Sequence, residues 1–315
     1  MNETSAESPD RTALLAFGAT VLIGGTNFIA VKFSNTELAP LYGAGVRFAI
    51  ACLILFAIVA ARRLELPRGR ALVGAGVYGL LSFGLAYAFL YFALLGLTAG
   101  ATSVVMAMTP LVTLSLAVAH GQERFTPRGI AGGVLAVGGI AVLSVRSMGG
   151  ELSLIHLLAA VVGVFASAEA SVLVKGFPRS HPITTNAVGM AFGAAALGIA
   201  SLLFREPWVI PQTARTWTVL AYLSIMGSVG LFTLFLFVIK RWTASASVYA
   251  LTLMPVVAVT LGILVAGEQF SPEILAGGVL VILGVYVGAL SRRRGRPAGQ
   301  PVSATPTVVS DESPA

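Results

Sequence analysis

The chain alternates between long apolar runs and short polar connections. Ten runs stand out, at residues 13–33, 40–61, 71–93, 98–120, 128–146, 153–175, 183–204, 216–239, 243–266 and 273–291. A helix rises about 1.5 Å per residue, so about 20 apolar residues cross a hydrocarbon core about 30 Å thick. The runs are continuous rather than alternating, which argues against the strands of a membrane barrel. The pattern predicts an all-α membrane protein with ten transmembrane helices. The connections leave no room for a soluble domain. Residues 1–11 form a polar tail without the basic start and cleavage site of a signal peptide, so the first run is expected to stay in the mature protein. Residues 292–315, a tail rich in Pro, Ser, Thr and Val, read as disordered.

The two halves of this pattern are related. The segment from Thr98, TAGATSVVMAMTPLVTLSLAVAHGQERFTPRGIAGGVLAVGG, parallels the segment from Thr243, TASASVYALTLMPVVAVTLGILVAGEQFSPEILAGGVLVILG. At one offset Pro110 meets Pro255, Glu123 meets Glu268, Phe125 meets Phe270 and Pro127 meets Pro272. Gly132 and Gly133 meet Gly277 and Gly278 at the same offset. Weaker matches pair Lys32 with Lys175 and Pro40 with Pro182. Two repeats follow, at residues 12–146 and 153–291, with five runs each. Five is odd, so the second repeat enters the membrane upside down relative to the first. Inverted repeats enclosing a central site are a recurrent transporter plan.

Charge adds orientation. Fifteen Lys and Arg residues fall on one side: Arg11, Arg62, Arg63, Arg68, Arg70, Arg124, Arg128, Lys175, Arg179, Lys240, Arg241, Arg292, Arg293, Arg294 and Arg296. Four fall on the other: Lys32, Arg146, Arg205 and Arg215. The positive-inside bias puts both termini in the cytoplasm. Only 10% of residues are charged and 57% are hydrophobic, too few charges to cover a water-facing surface. The net charge of +7 sits between apolar runs rather than in one patch, which argues for a lipid partner and against nucleic acid. Seventeen arginines against three lysines, with abundant Ala and Gly, suit a GC-rich bacterial genome and hence an inner membrane. The single cysteine, Cys52, excludes an intramolecular disulfide. The histidines His120, His156 and His181 are scattered and make no metal-ligand spacing. No GxxxxGK[ST] motif is present, so ATP does not drive the protein from within this chain. No cofactor is expected.

The text GGTNFIAVKF in the first run, LYGAGVRFAIA in the second, YFALLGLTAGATSVVMAMTP across the third and fourth, and the repeated Pro…Glu-x-Phe-x-Pro segments resemble the EamA-type family of the drug/metabolite transporter superfamily. The resemblance covers residues 12–291. It implies a basket-shaped bundle whose central cavity is lined mainly by the first, third, fourth, sixth, eighth and ninth helices. It also implies alternating access and, most often, export of amino acids or related metabolites. Multidrug or other metabolite carriage on the same fold is the alternative. A membrane enzyme would need clustered acids, histidines or nucleophiles at one depth, and none is apparent; a channel would more often show rings of charge or backbone carbonyls around an open pore.

Two charges sit well inside runs, where each costs roughly 2.5–3.5 kcal/mol at a helix centre. Glu169, in VFASAEASVL, is a candidate for a substrate ammonium or a coupling proton, or else a tie between helices. Arg47 is a candidate carboxylate contact or a structural arginine bonded to backbone carbonyls. Asn27, after Gly24 and Gly25, is a candidate substrate contact or an interhelical hydrogen bond; the glycines permit close packing or a break. Tyr87 and Tyr91 share one helix face and suit an aromatic wall. Thr102, Met106, Thr109 and Thr113 share a face of the fourth run. Ser245, Tyr249 and Thr252 share a face of the ninth, and Tyr249 is a candidate contact. Pro110 and Pro255 lie mid-run and are candidate hinges. Glu123 and Glu268 are expected to cap the helix that follows each of them. Glycines four apart, Gly129 with Gly133 and Gly284 with Gly288, suit close packing within the chain or in a homodimer.

Overall fold

The computed structural model describes residues 11–122, 127–148, 153–178, 180–241, 244–269 and 272–287. Among these residues all regular structure is helical. Helices occupy each predicted run: α1 (Arg11–Ser34), α2 (Pro40–Ala61), α3 (Arg70–Gly96), α4 (Ala99–Ala119), α5 (Pro127–Met148), α6 (Leu154–Gly176), α7 (Pro182–Leu203), α8 (Ala214–Ser224, Ile225–Gly230 and Leu231–Arg241), α9 (Ala244–Ala266) and α10 (Pro272–Val285). Seven of them, α1 to α4 and α6 to α8, are long and apolar enough to cross a membrane by length and composition. The apolar stretches Pro127–Val142, Leu253–Ala266 and Pro272–Val285 are shorter. Large apolar side chains point outward all round, among them Leu53, Val134, Leu203 and Leu264. In water this surface would be costly; against lipid it costs nothing.

The packing follows the repeat. α2 lies along α7 and α5 along α10, each a helix with its own repeat mate. α1 packs on α8 and α9, just as α6 packs on α3 and α4. Glycine contacts are reciprocal. A Cβ on Gly139 would lie 2.7 Å from the Gly277 carbonyl, and one on Gly284 would lie 2.6 Å from the Gly132 carbonyl. The offset that pairs Pro110 with Pro255 exchanges these two contacts. Gly284 is thus spent within the chain, whereas Gly133 faces open space; Gly288 lies outside the described residues.

Two features were not anticipated from the sequence. α3 carries a π-helical turn at Leu80–Leu85, and α8 carries one at Ile225–Gly230. The repeat offset superposes them. π-turns insert a residue into the helical ladder and release carbonyls from their usual partners. The prolines, by contrast, behave differently. α4 breaks at Ala107–Met108, just before Pro110, while α9 stays helical through Pro255. Pro110 cannot donate to the Met106 carbonyl, and the Thr109 hydroxyl does so instead at 2.6 Å. The glycines of α1 serve close packing rather than a break. α1 is continuous, and a Cβ on Gly25 would meet Val257 Cβ at 2.5 Å.

Acidic side chains staple one rim. Glu206 accepts from the N–H groups of Leu41 and Tyr42 at the start of α2, at 3.1 and 2.8 Å. Glu37 accepts from Gln212 N–H and from the Thr213 and Thr216 hydroxyls at the start of α8. Those hydrogen bonds, with Gln212 first and Thr216 next, hold the Glu37 carboxyl below the usual carboxylate range. Glu268 was expected to cap α10. It caps α4 instead, accepting from Ala99 N–H at 2.8 Å and from Lys32 Nζ at 2.6 Å. Gly267, at φ 66°, ends α9, and Glu268 N–H returns to the Gly262 carbonyl. That turn aims the carboxylate back across the bundle rather than onward to α10. Glu123 lies outside the described residues.

Candidate functional site

A cavity of about 320 Å³ lies between the two halves. Its wall comes from α1, α3, α4, α6, α8 and α9, with Arg47 reaching in from α2. A second cavity of about 480 Å³ lies toward Lys175 and shares Tyr78 and Phe232 with the first.

Polar chemistry concentrates at the π-turn of α8. The Gly227 carbonyl accepts from Asn27 Nδ2 at 3.1 Å and from Arg47 Nη2 at 3.0 Å. Arg47 Nε donates to Ser228 Oγ at 3.0 Å, and that hydroxyl donates to the Leu223 carbonyl at 3.0 Å. The π geometry makes this possible, because a regular helix would engage the Gly227 carbonyl internally. A Cβ at 227 would collide with Asn27 Oδ1, so a larger residue there displaces that side chain. Arg47 is fully buried, with its guanidinium 5.1 Å from the Tyr87 ring centroid and 5.2 Å from that of Phe48. Both distances are within cation–π range. Three buried polar atoms here have no hydrogen-bond partner: Arg47 Nη1, Asn27 Oδ1 and the Tyr91 hydroxyl.

Of the residues singled out from sequence, Asn27, Arg47, Tyr87, Met106 and Thr109 line the cavity. Tyr91 stands behind Tyr87, fully buried, with ring centroids 6.5 Å apart, and is not part of the wall. Glu169 is also outside the wall. It turns toward α4, where His120 Nε2 lies 3.0 Å from its carboxylate. Its neighbours Ser167 and Ser171 take the cavity face instead. The reason is helical phase: two residues either side of 169 means a turn of about 200° away from it. The side chains of Ser245, Tyr249 and Thr252 lie outside the described residues. Pro255 lies in α9 one residue after Met254, which lines the cavity. Sequence reasoning missed Tyr78, Ser82, Ser103 and Phe232 in the wall, and the role of Gly227 and Ser228. A gapless helical run carries no signal for a π-turn, although glycine beside serine in IMGSVG marks a place where backbone is approachable.

The EamA-like transporter family model matches residues 11–145 and again residues 154–289, nearly the whole chain. This chain belongs to the EamA-like transporter family. The double match coincides with the two repeats. An inner membrane transporter of Escherichia coli, YedA, whose activity is uncharacterized, is 27% identical over 88% of this chain and 92% of its own. A probable amino-acid metabolite efflux pump of Salmonella typhimurium is 27% identical over 88% of this chain and 95% of its own. A crystal structure superposes with a TM-score of 0.63 at 22% identity, covering 90% of this chain and 98% of the other, and supports the fold. The protein is therefore a multi-pass membrane transporter, and its family and relatives are those of transporters rather than enzymes.

Proposed function

We propose that this protein is a secondary transporter of the bacterial inner membrane that exports amino acids or related small metabolites by alternating access. In this reading ten helices cross the bilayer as two inverted five-helix repeats, forming a basket around the central cavity with both termini in the cytoplasm. The observation that carries it is the cavity between the halves, with a second cavity adjoining it toward Lys175; in this reading the contacts of Glu268 with Lys32 and Ala99 close the opposite rim. By the arginine bias the closed rim is the outer one, so the molecule stands open toward the cytoplasm. Asn27, Arg47 and Tyr87 contact the solute, Tyr91 backs them, Tyr249 is a further contact, and Pro110 and Pro255 are hinges. Glu169, outside the wall and 3.0 Å from His120 Nε2, keeps only the coupling role.

The test is counterflow in proteoliposomes loaded with unlabelled amino acids and offered labelled ones. Saturable accumulation of one label is the expected result. No accumulation from folded protein would remove the amino-acid reading and favour drug or other metabolite carriage. Glu169→Gln should abolish proton-dependent flux while leaving counterflow intact; unchanged pH dependence would remove the coupling role.

A further inference from the structure

We propose that the central cavity takes its solute by a carboxylate, docked on Arg47, and excludes solutes of net positive charge. This rests on the transport reading above and names its substrate class. A guanidinium does not lose its proton in a protein, so Arg47 carries its charge into the bundle. A buried charge is normally paired, because desolvation is otherwise uncompensated. Among the described residues no carboxylate lies within ion-pair distance of Arg47; Glu268 is taken by Lys32, and Glu169 lies beside His120. Its hydrogen-bond partners, the Gly227 carbonyl and the Ser228 hydroxyl, are neutral. The Tyr87 ring lies over the guanidinium at 5.1 Å, and the hydroxyl of Tyr91 behind it is buried without a hydrogen-bond partner.

Two of the three guanidinium nitrogens are thus spent tethering α2 to the π-turn of α8, and Nη1 is left over. Arg47 is also the sole charged residue in the described cavity wall. A positive, unpaired, water-poor site calls for an anion, and a planar fork of N–H donors matches the geometry of a carboxylate. Around it the wall is apolar and aromatic, with Phe83, Phe232 and Met254 available to an apolar body. Its volume, about 320 Å³, suits one small solute. An α-ammonium finds no carboxylate in this wall, but the Tyr87 ring and the Ser82 and Ser103 hydroxyls can receive it. A zwitterion is accommodated on these terms; a cation meets the field of Arg47 at low dielectric. The Tyr87 ring covers the guanidinium, so it must turn aside as the carboxylate docks.

The experiment uses purified full-length protein and matched solutes. Leucine, leucinamide, isoamylamine and 4-methylpentanoate share one body; phenylalanine, phenylalaninamide, phenethylamine and 3-phenylpropanoate share another. Thermal stabilisation of the protein reads binding without requiring transport. Free acids, with or without the amino group, should stabilise at concentrations at least about tenfold below those of the amides and amines. Stabilisation by an amide or amine equal to that of its acid would overturn the proposal, as would no stabilisation by any acid. Arg47→Gln should erase the preference for acid over amide. Because that variant also loses its tether and can misfold, the wild-type series decides on its own. Binding of acids without counterflow would sink the transport reading and leave the carboxylate site standing.

Discussion

Neutralising Glu268 should release the rim that Lys32 and Ala99 share. The carboxylate is 6% exposed and accepts two charge-assisted hydrogen bonds, from Lys32 Nζ at 2.6 Å and from Ala99 N–H at 2.8 Å. Such bonds contribute about 1.5–3 kcal/mol each, and a carboxylate at a helix N-terminus adds about 0.3–1 kcal/mol. The Lys32 side chain is one-third exposed, which discounts its share toward about 1 kcal/mol. Glu268→Gln keeps the shape and an acceptor for Ala99 N–H, so the net loss is about 1–3 kcal/mol. These contacts join α1, α4 and the end of α9, and under the proposed alternating access the rim opens only by parting them. The variant should therefore raise the population open on the Lys32 side about 5- to 150-fold. The assay replaces Cys52 by alanine, places one cysteine at the cavity-lining Ser103, and measures its modification by a membrane-impermeant thiol reagent from the Lys32 side. Modification at least about fivefold faster in Glu268→Gln is expected. An unchanged rate in folded protein would refute the latch. Lys32→Met should act in the same direction, and the double variant should be less than additive because the two groups share one interaction.

Glu37 gives a pH prediction. Its folded-state pKa is depressed, so its contribution to stability is present above the ordinary carboxylate value of about 4.3 and is lost as pH falls through the lowered one. The melting temperature of wild type should exceed that of Glu37→Gln at pH 7, and the difference should shrink in acid. Gly227→Ala should displace Asn27 and with it the tether of Arg47, lowering the melting temperature and abolishing flux, whereas Gly133→Ala should do neither. Thr109→Val orphans the Met106 carbonyl and should destabilise by about 1–3 kcal/mol, with Thr109→Ser close to wild type in thermal unfolding.

Most of the fold was legible because the bilayer imposes it. Length and polarity of each run place the helices, and the constant offset between the halves places the two repeats, without reference to any side-chain contact. The site was legible in part, for the same reason. A charge inside an apolar run has to be accounted for, and that singled out Arg47 and Glu169 alike. Phase around the helix then separated them: Arg47 turns into the cavity wall, while Glu169 turns toward His120 at the side. Ser167 and Ser171, four apart, do mark the face that α6 turns to the cavity, but two hydroxyls are a weaker signal in a run than the charge of Glu169 between them. The π-turns were illegible because the extra residue in each is absorbed without any break in hydropathy.

The repeat also explains where symmetry stops. Leu80–Leu85 and Ile225–Gly230 superpose, yet the Arg47 cluster forms at the second π-turn, and the repeat mate of Arg47 falls in the small-residue face of α7, where Asn186, Gly189 and Gly193 stand instead of a cation. The same asymmetry governs the prolines. Thr109 supplies the donor that Pro110 lacks, and its mate is Met254, which has none to give. α4 can therefore break at Ala107–Met108 with its carbonyl satisfied, while α9 holds its helix through Pro255. A duplicated half-bundle provides two nearly equivalent scaffolds. Where the copies differ on the wall of the central cavity, as at Arg47 and at Thr109 against Met254, the site is single rather than doubled.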